Sequence, residues 1–167
     1  WLFTGKAQLE YRPLDDVMFY AGYNRGAKAG SFNAPFAGGA TPADPEVPYK
    51  AEKLDAYEVG FKTMLADKRV TFNGAAFYYD YHDFQAFKFV NFSTVVGNNP
   101  ATIKGAEFEA KVKALEGLDL SLGGSYIDAK VKGVVVSNSL GSATVDRRPP
   151  FTSKWKLVGG AAYSFDL

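Results

Sequence analysis

Apolar and polar residues alternate along most of this 167-residue chain. In residues 3–12, one face takes Phe3, Gly5, Ala7, Leu9 and Tyr11, and the other takes Thr4, Lys6, Gln8, Glu10 and Arg12. A period of two residues indicates a β-strand, because successive side chains point to opposite faces. The same period recurs in segments 17–28, 54–65, 70–90, 105–113, 120–126 and 154–165. The pattern therefore predicts seven strands, several of them roughly 10–14 residues long against a usual length of about 5–6.

The connections between these strands differ in length. Short turns begin at residues 13, 66 and 116, in the stretches PLDD, ADKR and EGLD. Longer connections occupy 29–52, 91–102 and 133–150, and the first of them holds four of the eight prolines. We expect irregular loops there, since proline cannot donate to a strand ladder. One end of the sheet is thus predicted to carry short turns and the other end long loops.

Strand length favours a membrane barrel over a soluble sandwich. Ten residues at about 3.3 Å each, tilted near ~45°, span roughly 23 Å, which matches the ~25 Å apolar band of an outer-membrane barrel. Such barrels have short periplasmic turns, long extracellular loops, an apolar outside and a polar inside. We therefore predict an all-β fold, an antiparallel up-and-down transmembrane β-barrel segment. The polar face formed by Glu107, Glu109, Lys111 and Lys113 also fits the solvated face of a soluble sheet, so that alternative stays open.

Composition narrows the choice of partners. Lys and Arg total 19 against 18 for Asp and Glu, so no excess of positive charge would attract nucleic acid. The chain has no cysteine, which excludes disulfides and thiolate metal sites. No apolar run approaches the ~20 residues of a membrane-spanning helix. Several aromatic residues lie near strand ends, as in the interfacial girdles of membrane barrels: Tyr11, Phe19, Tyr78, Tyr126, Phe151 and Tyr163.

Four segments, taken in order, carry a family resemblance. They are YNRGAKAGSFN (23–33), YKAEKLDAYEVGFKTML (49–65), VTFNGAAFYYDYHDFQ (70–85) and IKGAEFEAKVKAL (103–115). Together they resemble the later barrel strands of TonB-dependent outer-membrane receptors, especially the siderophore-type iron-complex receptors. The most specific parts are Glu-Lys-Leu-Asp-x-Tyr-Glu-x-Gly-x-Lys at 52–62 and Lys-Gly-x-Glu-x-Glu at 104–109.

The resemblance implies active import across the Gram-negative outer membrane. Receptors of this family have a barrel of about 22 strands that is plugged by an N-terminal globular domain, and a TonB box couples them to the TonB complex. The implied cargo is a ferric siderophore or a related metal chelate. The implied partners are outer-membrane lipid, lipopolysaccharide, the TonB complex and the small-molecule cargo. No cofactor, no metal and no nucleic-acid partner is expected.

The resemblance implies that residues 1–167 correspond to part of the C-terminal half of such a barrel, and that the plug domain and the TonB box are not among them. Seven strands are too few to close a barrel of this kind, so we expect a fragment with strands missing on both sides. An open sheet leaves two unpaired edges in lipid, where each orphaned amide costs several kcal/mol. We therefore predict that this polypeptide alone does not form a stable membrane protein.

Candidate binding residues follow from strand register and loop position. Asn24 and Lys28 lie on the lumen register, and Arg25 lies on the lipid register near the outer rim. Arg25 is a candidate for lipopolysaccharide phosphate, with a solvated loop base as the alternative. The remaining cargo candidates lie in the two long loops, where binding residues concentrate: Phe32, Phe36, Tyr49, Arg147 and Arg148. The two arginines are candidates for attracting an anionic siderophore.

His82 is the only histidine in the chain. A metal site there would need Asp80 and Asp83, but alternation sends Asp83 to the opposite face, so we expect no metal. With one histidine and no cysteine, neither a Ser–His–Asp nor a Cys–His set can form, so we expect no enzyme activity. Two alternative functions remain, a soluble or surface-attached sheet that binds carbohydrate and a passive porin.

Overall fold

The computed structural model describes residues 1–34, 47–90, 93–138 and 141–165. The strands are β1 (Gly5–Leu14), β2 (Val17–Lys28), β3 (Ser31–Phe32), β4 (Pro48–Tyr49), β5 (Glu52–Leu65), β6 (Val70–Val90), β7 (Ser93–Leu115), β8 (Leu118–Asn138), β9 (Gly141–Arg147) and β10 (Trp155–Tyr163). In these ranges no helix has the length and apolar character needed to cross a membrane.

One large antiparallel sheet contains the seven long strands in the order β1–β2–β5–β6–β7–β8–β10. β9 pairs with β8 beside this path, and β3 pairs with β4 in a separate two-stranded sheet. The spatial order of the long strands follows the chain, so the topology is up-and-down. Among the described residues, β1 and β10 each have a partner on one side only, so the sheet is open. The fold class predicted from alternation is confirmed.

Continuous register keeps each kind of side chain on one face of the sheet. One row across all seven strands, the apolar row, consists of Tyr11, Phe19, Phe61, Gly74, Phe108, Gly124 and Leu157. The row beside it, the polar row, consists of Glu10, Tyr20, Gly60, Ala75, Glu107, Ser125 and Lys156. We call the face of the apolar row the outer face and the face of the polar row the inner face. The two faces are those that the alternation predicts.

Four aromatic residues each face a glycine on the neighbouring strand. The directly paired residues are Tyr20 and Gly60, Phe61 and Gly74, Phe77 and Gly105, and Phe108 and Gly124. A Cβ atom built on any of these glycines would lie 2.5–2.7 Å from the ring opposite. The ring therefore covers backbone that glycine leaves bare, which strengthens pairing in a sheet. The first and third pairs lie on the inner face, and the other two lie on the outer face.

The sheet is a single layer with both faces open. The chain exposes 11915 Å² of surface, whereas a compact monomer of 18.2 kDa exposes about 8,100 Å². Large apolar side chains on the outer face remain uncovered, with Trp155 at 69% and Leu157 at 73% of full exposure. An outer face of this kind needs a lipid or protein cover, because so much apolar area is unfavourable in water.

The short turns fall where the sequence predicts them. β1 and β2 are joined through Asp15–Asp16, β5 and β6 through residues 66–69, and β7 and β8 through Glu116–Gly117. Residues 66, 67 and 68 have positive φ angles of 52°, 51° and 67°. Gly117 has a φ of 74°, a conformation that favours glycine. All three turns join antiparallel neighbours at the same end of the sheet.

The prediction of a long loop is wrong at two of the three places. β7 begins at Ser93, inside the predicted 91–102 loop, and the predicted 133–150 loop holds the end of β8 and all of β9. Valine-rich stretches support these strands, since β-branched residues favour extended backbone. Pro100 is tolerated within β7 because it lies opposite a bulge: the register passes from Tyr81–Ala101 to Phe84–Asn99, and proline in a sheet is found at bulges.

Candidate functional site

The long strands extend unequally at the end of the large sheet opposite the short turns, which we call the loop end. Pairing of β6 with β5 stops at His82, and pairing of β7 with β8 stops at Ala101. Beyond these points, residues 84–90 of β6 and 93–99 of β7 pair only with each other. We call these two segments the projecting hairpin. The rest of the seven-stranded sheet is called the wall.

The first loop is attached to the projecting hairpin by the side chain of Asn33. The Asn33 amide nitrogen donates to the Val96 carbonyl at 2.9 Å, and the Asn33 amide oxygen accepts from the Val96 N–H at 2.8 Å. The backbone N–H of Asn33 donates to the Val47 carbonyl at 2.7 Å, next to the β3–β4 pair. One side chain therefore bonds both backbone polar groups of a hairpin residue, as a neighbouring strand would.

Asn98 makes the same contact in the opposite direction, from the hairpin to the loop. Its amide oxygen accepts from the Lys50 N–H at 2.7 Å, and its nitrogen donates to the Lys50 carbonyl at 3.1 Å. The same nitrogen donates to the Asp83 carbonyl at 2.7 Å, at the bulge of β6. Lys50 also approaches Asp83 with its ammonium, 3.8 Å from the carboxylate. The two asparagines thus bind loop and hairpin reciprocally.

Two further amides make side-chain contacts beside these, one with the first loop and one with β8. Gln85, 8% exposed, donates to the carbonyls of Ala29 at 2.8 Å and Lys50 at 3.1 Å. Its backbone N–H donates to the Glu52 carboxylate at 2.7 Å. Asn99 donates to the carbonyls of Lys132 and Gly133, both at 3.1 Å, and so connects β7 to β8. We call Asn33, Gln85, Asn98 and Asn99 the amide clamps.

Sequence reasoning missed the amide clamps. Asn98 and Asn99 stand in the stretch GNNP, a composition typical of turns, so the sequence predicts a loop where the structure has a strand. The sequence does carry one signal for these contacts. Asparagine is depleted in strands, so two consecutive asparagines in an extended segment are expected to form side-chain hydrogen bonds. The partners themselves are 15 to 63 residues away in the chain, so no local pattern could identify them.

The structure separates the cargo candidates into an inner and a loop group. Asn24 pairs with Lys6 and Ala56 on the inner face, and Lys28 pairs with Glu52 on the same face. Phe32, 74% exposed, and Tyr49 lie in the β3–β4 pair of the clamped first loop. Phe36 lies outside the described residues.

Arg147 and Arg148 lie on opposite faces of the sheet. Arg147 pairs with Val131, which is on the inner register. The Arg148 guanidinium lies 3.9 Å from the carboxylate of Asp128, whose side chain is on the outer register. The two arginines therefore do not form one anion site.

Arg25 lies on the outer face, as predicted, in a cluster of opposite charges. Its guanidinium lies 3.6 Å from the carboxylate of Asp55, which is 9% exposed. The Tyr23 hydroxyl donates to the same carboxylate at 2.5 Å. His82 lies 3.4 Å from Asp55 and 3.9 Å from Asp80. In the described part of the chain, no group of three or more His, Asp or Glu side chains is placed to hold a metal ion.

The inner face is a polar, hydrogen-bonded surface. The Tyr20 hydroxyl donates to the Glu58 carboxylate at 2.7 Å, across the β2–β5 pair. The ammonium of Lys111 lies 2.7 Å from the carboxylate of Glu109 on the same strand. Alternating charges of this kind suit a wall in contact with water or with a polar protein surface.

An open single-layer up-and-down sheet with one apolar face, one polar face and short turns at one end has the architecture of a wall segment of an outer-membrane barrel. The family profile described as TonB dependent receptor-like, beta-barrel matches residues 1–167. The chain belongs to this family of TonB-dependent receptors, whose members are Gram-negative outer-membrane proteins. This membership confirms the family resemblance carried by the four sequence segments.

Solved receptor structures share the fold over nearly the whole chain. The ferric yersiniabactin uptake receptor FyuA from Yersinia pestis is 25% identical, with a TM-score of 0.71 over 98% of this chain and 23% of that one. The siderophore receptor PiuA from Acinetobacter baumannii is 16% identical, with a TM-score of 0.69 over 96% of this chain and 23% of that one. The ferric-catecholate import receptor Fiu from E. coli K12 is 17% identical, with a TM-score of 0.65 over 96% of this chain and 22% of that one. The chain therefore spans less than a quarter of the length of these receptors.

Proposed function

We propose that these residues form part of the barrel of a receptor that imports a metal chelate, such as a ferric siderophore, with energy supplied through TonB. The likeness to FyuA, at 25% identity over 98% of the chain, carries this proposal. The family membership supports TonB coupling through regions N-terminal to the barrel. The family consists of transport receptors, so a catalytic role is not part of the proposal. The metal chelate is cargo and not a resident cofactor.

The clamped first loop supplies the proposed contacts with cargo. Phe32 and Tyr49 are held against the projecting hairpin by Asn33 and Asn98, so their backbone positions are fixed before a ligand arrives. Preorganisation of this kind lowers the entropy cost of binding. Lys28, exposed on the inner register below this loop, adds a cation for an anionic chelate. Asn24, Phe36 and Arg147 complete the proposed set.

Uptake of labelled iron tests the proposal. The complete receptor that carries this segment is expressed in an outer membrane lacking other iron-chelate receptors, and cells are given a panel of iron-55 chelates. We expect saturable uptake of at least one chelate that stops when TonB is absent. Uptake that persists without TonB would indicate a passive pore, and failure to bind any metal chelate would overturn the choice of cargo.

Paired substitutions locate the cargo contacts within the same assay. Phe32→Ala and Tyr49→Ala are expected to raise the half-saturating chelate concentration roughly ten-fold, in line with about 1–3 kcal/mol for loss of a stacking or packing aromatic. Tyr57→Ala, on the outer face, serves as the control because its side chain points away from the lumen register. Equal effects of the loop and control variants would remove the first loop from the binding site.

A further inference from the structure

We propose that the outer face of β7, β8 and β10 binds the phosphate groups of lipopolysaccharide through Lys104, Lys130, Arg148 and Lys154. We call these four residues the cationic rim. The inference rests on the proposed receptor function, because it takes the loop end as the extracellular end, and it moves the lipopolysaccharide contact away from Arg25.

The cationic rim lies next to an aromatic pair at the edge of the apolar band. Tyr126 and Trp155 are paired on the outer face with ring centroids 4.5 Å apart. From Leu118, which pairs with Tyr163 near the short turns, to Tyr126 the strand advances about 19 Å along the membrane normal at ~3.3 Å per residue and ~45° tilt. Tyr126 and Trp155 thus lie just below the upper edge of an apolar band of ~25 Å, where aromatic girdles occur. The same arithmetic puts Lys104, which pairs with Asp128, at roughly 23 Å and Lys130 at roughly 28 Å, where the headgroups begin.

Cations gather immediately beyond the aromatic pair. Lys104 pairs directly with Asp128 on the outer face, and Lys130, two residues further along β8, pairs with Thr102. The ammonium of Lys154 lies 5.5 Å from the centroid of the Tyr126 ring. Arg148 lies 3.9 Å from Asp128. Asp128 pairs directly with Lys104, and two further carboxylates lie near the rim: Asp146, which accepts the Gly133 N–H at 3.2 Å, and Asp80, opposite Thr102. The four cations of the rim outnumber these three carboxylates.

The neighbouring sector of the same face has a different charge balance, with Arg25, Lys53 and His82 beside Asp55 and Asp80. Arg25 and His82 both approach Asp55, and His82 also approaches Asp80. Asp55 further accepts the Tyr23 hydroxyl. A phosphate at Arg25 would meet these two carboxylates, whereas Lys130 on β8 is separated from the nearer of them, Asp80 on β6, by Thr102 on β7. Charge complementarity for an anion is therefore better on β7 and β8 than around Arg25.

The phosphates of lipopolysaccharide are the anions that this position meets. The loop end faces the outside of the cell, where the outer leaflet consists of lipopolysaccharide, and its phosphates lie at the headgroup level, just above the aromatic pair. Lysines on flexible stems reach such phosphates as point charges, and arginine can bind them with two parallel hydrogen bonds. Anionic phospholipid and free phosphate present similar groups, and the experiment separates the three.

The first test measures lipopolysaccharide that remains with the complete receptor after mild detergent extraction. Lys104→Gln/Lys130→Gln is compared with Lys62→Gln/Lys156→Gln, which removes two lysines from the inner face of the same sheet. We expect the rim variant to retain at least five-fold less lipopolysaccharide per receptor, since each lysine near an anionic surface changes binding on the order of five-fold. Equal retention by the two variants, or a loss caused by Arg25→Gln and not by the rim variant, would overturn the assignment.

The second test uses the unsubstituted receptor and therefore does not depend on the folding of a variant. Detergent-solubilised receptor is titrated with intact lipid A, dephosphorylated lipid A or phosphatidylglycerol, each dissolved in the same detergent. We expect binding to intact lipid A that exceeds both others at least five-fold and that millimolar inorganic phosphate does not displace. Equal binding to either control lipid would overturn the proposal. Chelate uptake by the rim variant, measured in parallel, is expected to be unchanged, so this inference and the transport proposal fail separately.

Discussion

Different kinds of hydrogen bond stabilise the wall and the loop end. In the wall, each strand is fixed by continuous backbone pairing, so that the apolar and polar rows run unbroken from Tyr11 to Leu157 and from Glu10 to Lys156. At the loop end, the first loop is fixed by a few side-chain amides, chiefly Asn33 and Asn98. The wall is therefore stabilised by a pattern of backbone pairing that repeats from strand to strand, whereas the conformation of the loop end depends on the side chains of individual residues. The following predictions test that difference, beginning with the largest expected effect.

A charge placed on the outer face should be the most damaging change to the wall. Leu122→Arg on β8 puts a cation among lipid-facing side chains, and we expect a loss of about 2–4 kcal/mol in unfolding free energy near the bilayer midplane. Ser125→Arg on the same strand faces the inner side and should cost less than about 1 kcal/mol. Urea titration of the complete receptor in lipid bilayers measures both variants. Equal losses would contradict the assignment of the two faces.

Filling one of the glycine positions under a ring should cost somewhat less. A Cβ atom at Gly105 would meet the Tyr126 carbonyl oxygen and, at 2.7 Å, the ring of Phe77. We expect Gly105→Ala to lower the unfolding free energy by about 1–3 kcal/mol through overpacking. Gly22→Ala is the control, because its Cβ atom would meet only the Ala7 carbonyl oxygen at 3.9 Å. The prediction fails in the same titration if Gly22→Ala is as destabilising as Gly105→Ala.

Removing an amide clamp should loosen the first loop and leave the wall unchanged. Asn98→Ala removes three hydrogen bonds, two to Lys50 and one to Asp83. At about 0.5–1.5 kcal/mol for each bond, we expect hydrogen exchange at the Lys50 amide to accelerate at least ten-fold. Exchange in the wall, for example at Phe108, should not change. Gln8→Ala, which removes an exposed amide bonded to Glu10, is the control, and a global acceleration in either variant would show that loop and wall unfold together.

The smallest effect is expected from the exposed charges of the inner face. Lys111 and Glu109 lie 2.7 Å apart, but their side chains are 61% and 50% exposed. Exposed pairs contribute about 0.2–1 kcal/mol because water and salt screen them. Lys111→Gln should therefore shift the unfolding free energy by less than about 1 kcal/mol, and the shift should shrink further in high salt. A shift above 2 kcal/mol would show that charge pairs stabilise the wall as much as its pattern does.

The wall could be predicted from the sequence because its determinants are local. A period of two residues fixes which face each side chain takes, and the short turns at Asp15–Asp16 and Glu116–Gly117 fix the order of the strands. The family was predicted separately, from the resemblance of four segments to TonB-dependent receptors. The face assignments of Arg25 and Asn24 follow from this pattern alone, and the register confirms both.

The loop end could not be predicted in the same way because its determinants are distant in sequence. Pro100 suggested a loop, and only the bulge on the neighbouring strand makes it compatible with β7. Asn33 and Val96 are 63 residues apart, so neither residue's surroundings reveal the contact. The neutralised charge of Arg25 and the separation of Arg147 from Arg148 likewise depend on residues of other strands.

The aromatic–glycine pairs bear on how this sequence can change over generations. Each pair places bulk on one strand and space on the next, so neither position can be exchanged freely while its partner stays as it is. A lineage that replaces Gly74 with a larger residue should also replace Phe61 with a smaller one, and the reverse exchange should be equally acceptable. Related receptors should therefore preserve the combined volume of such a pair more faithfully than either residue, and the four correlated pairs would record the strand register in any alignment.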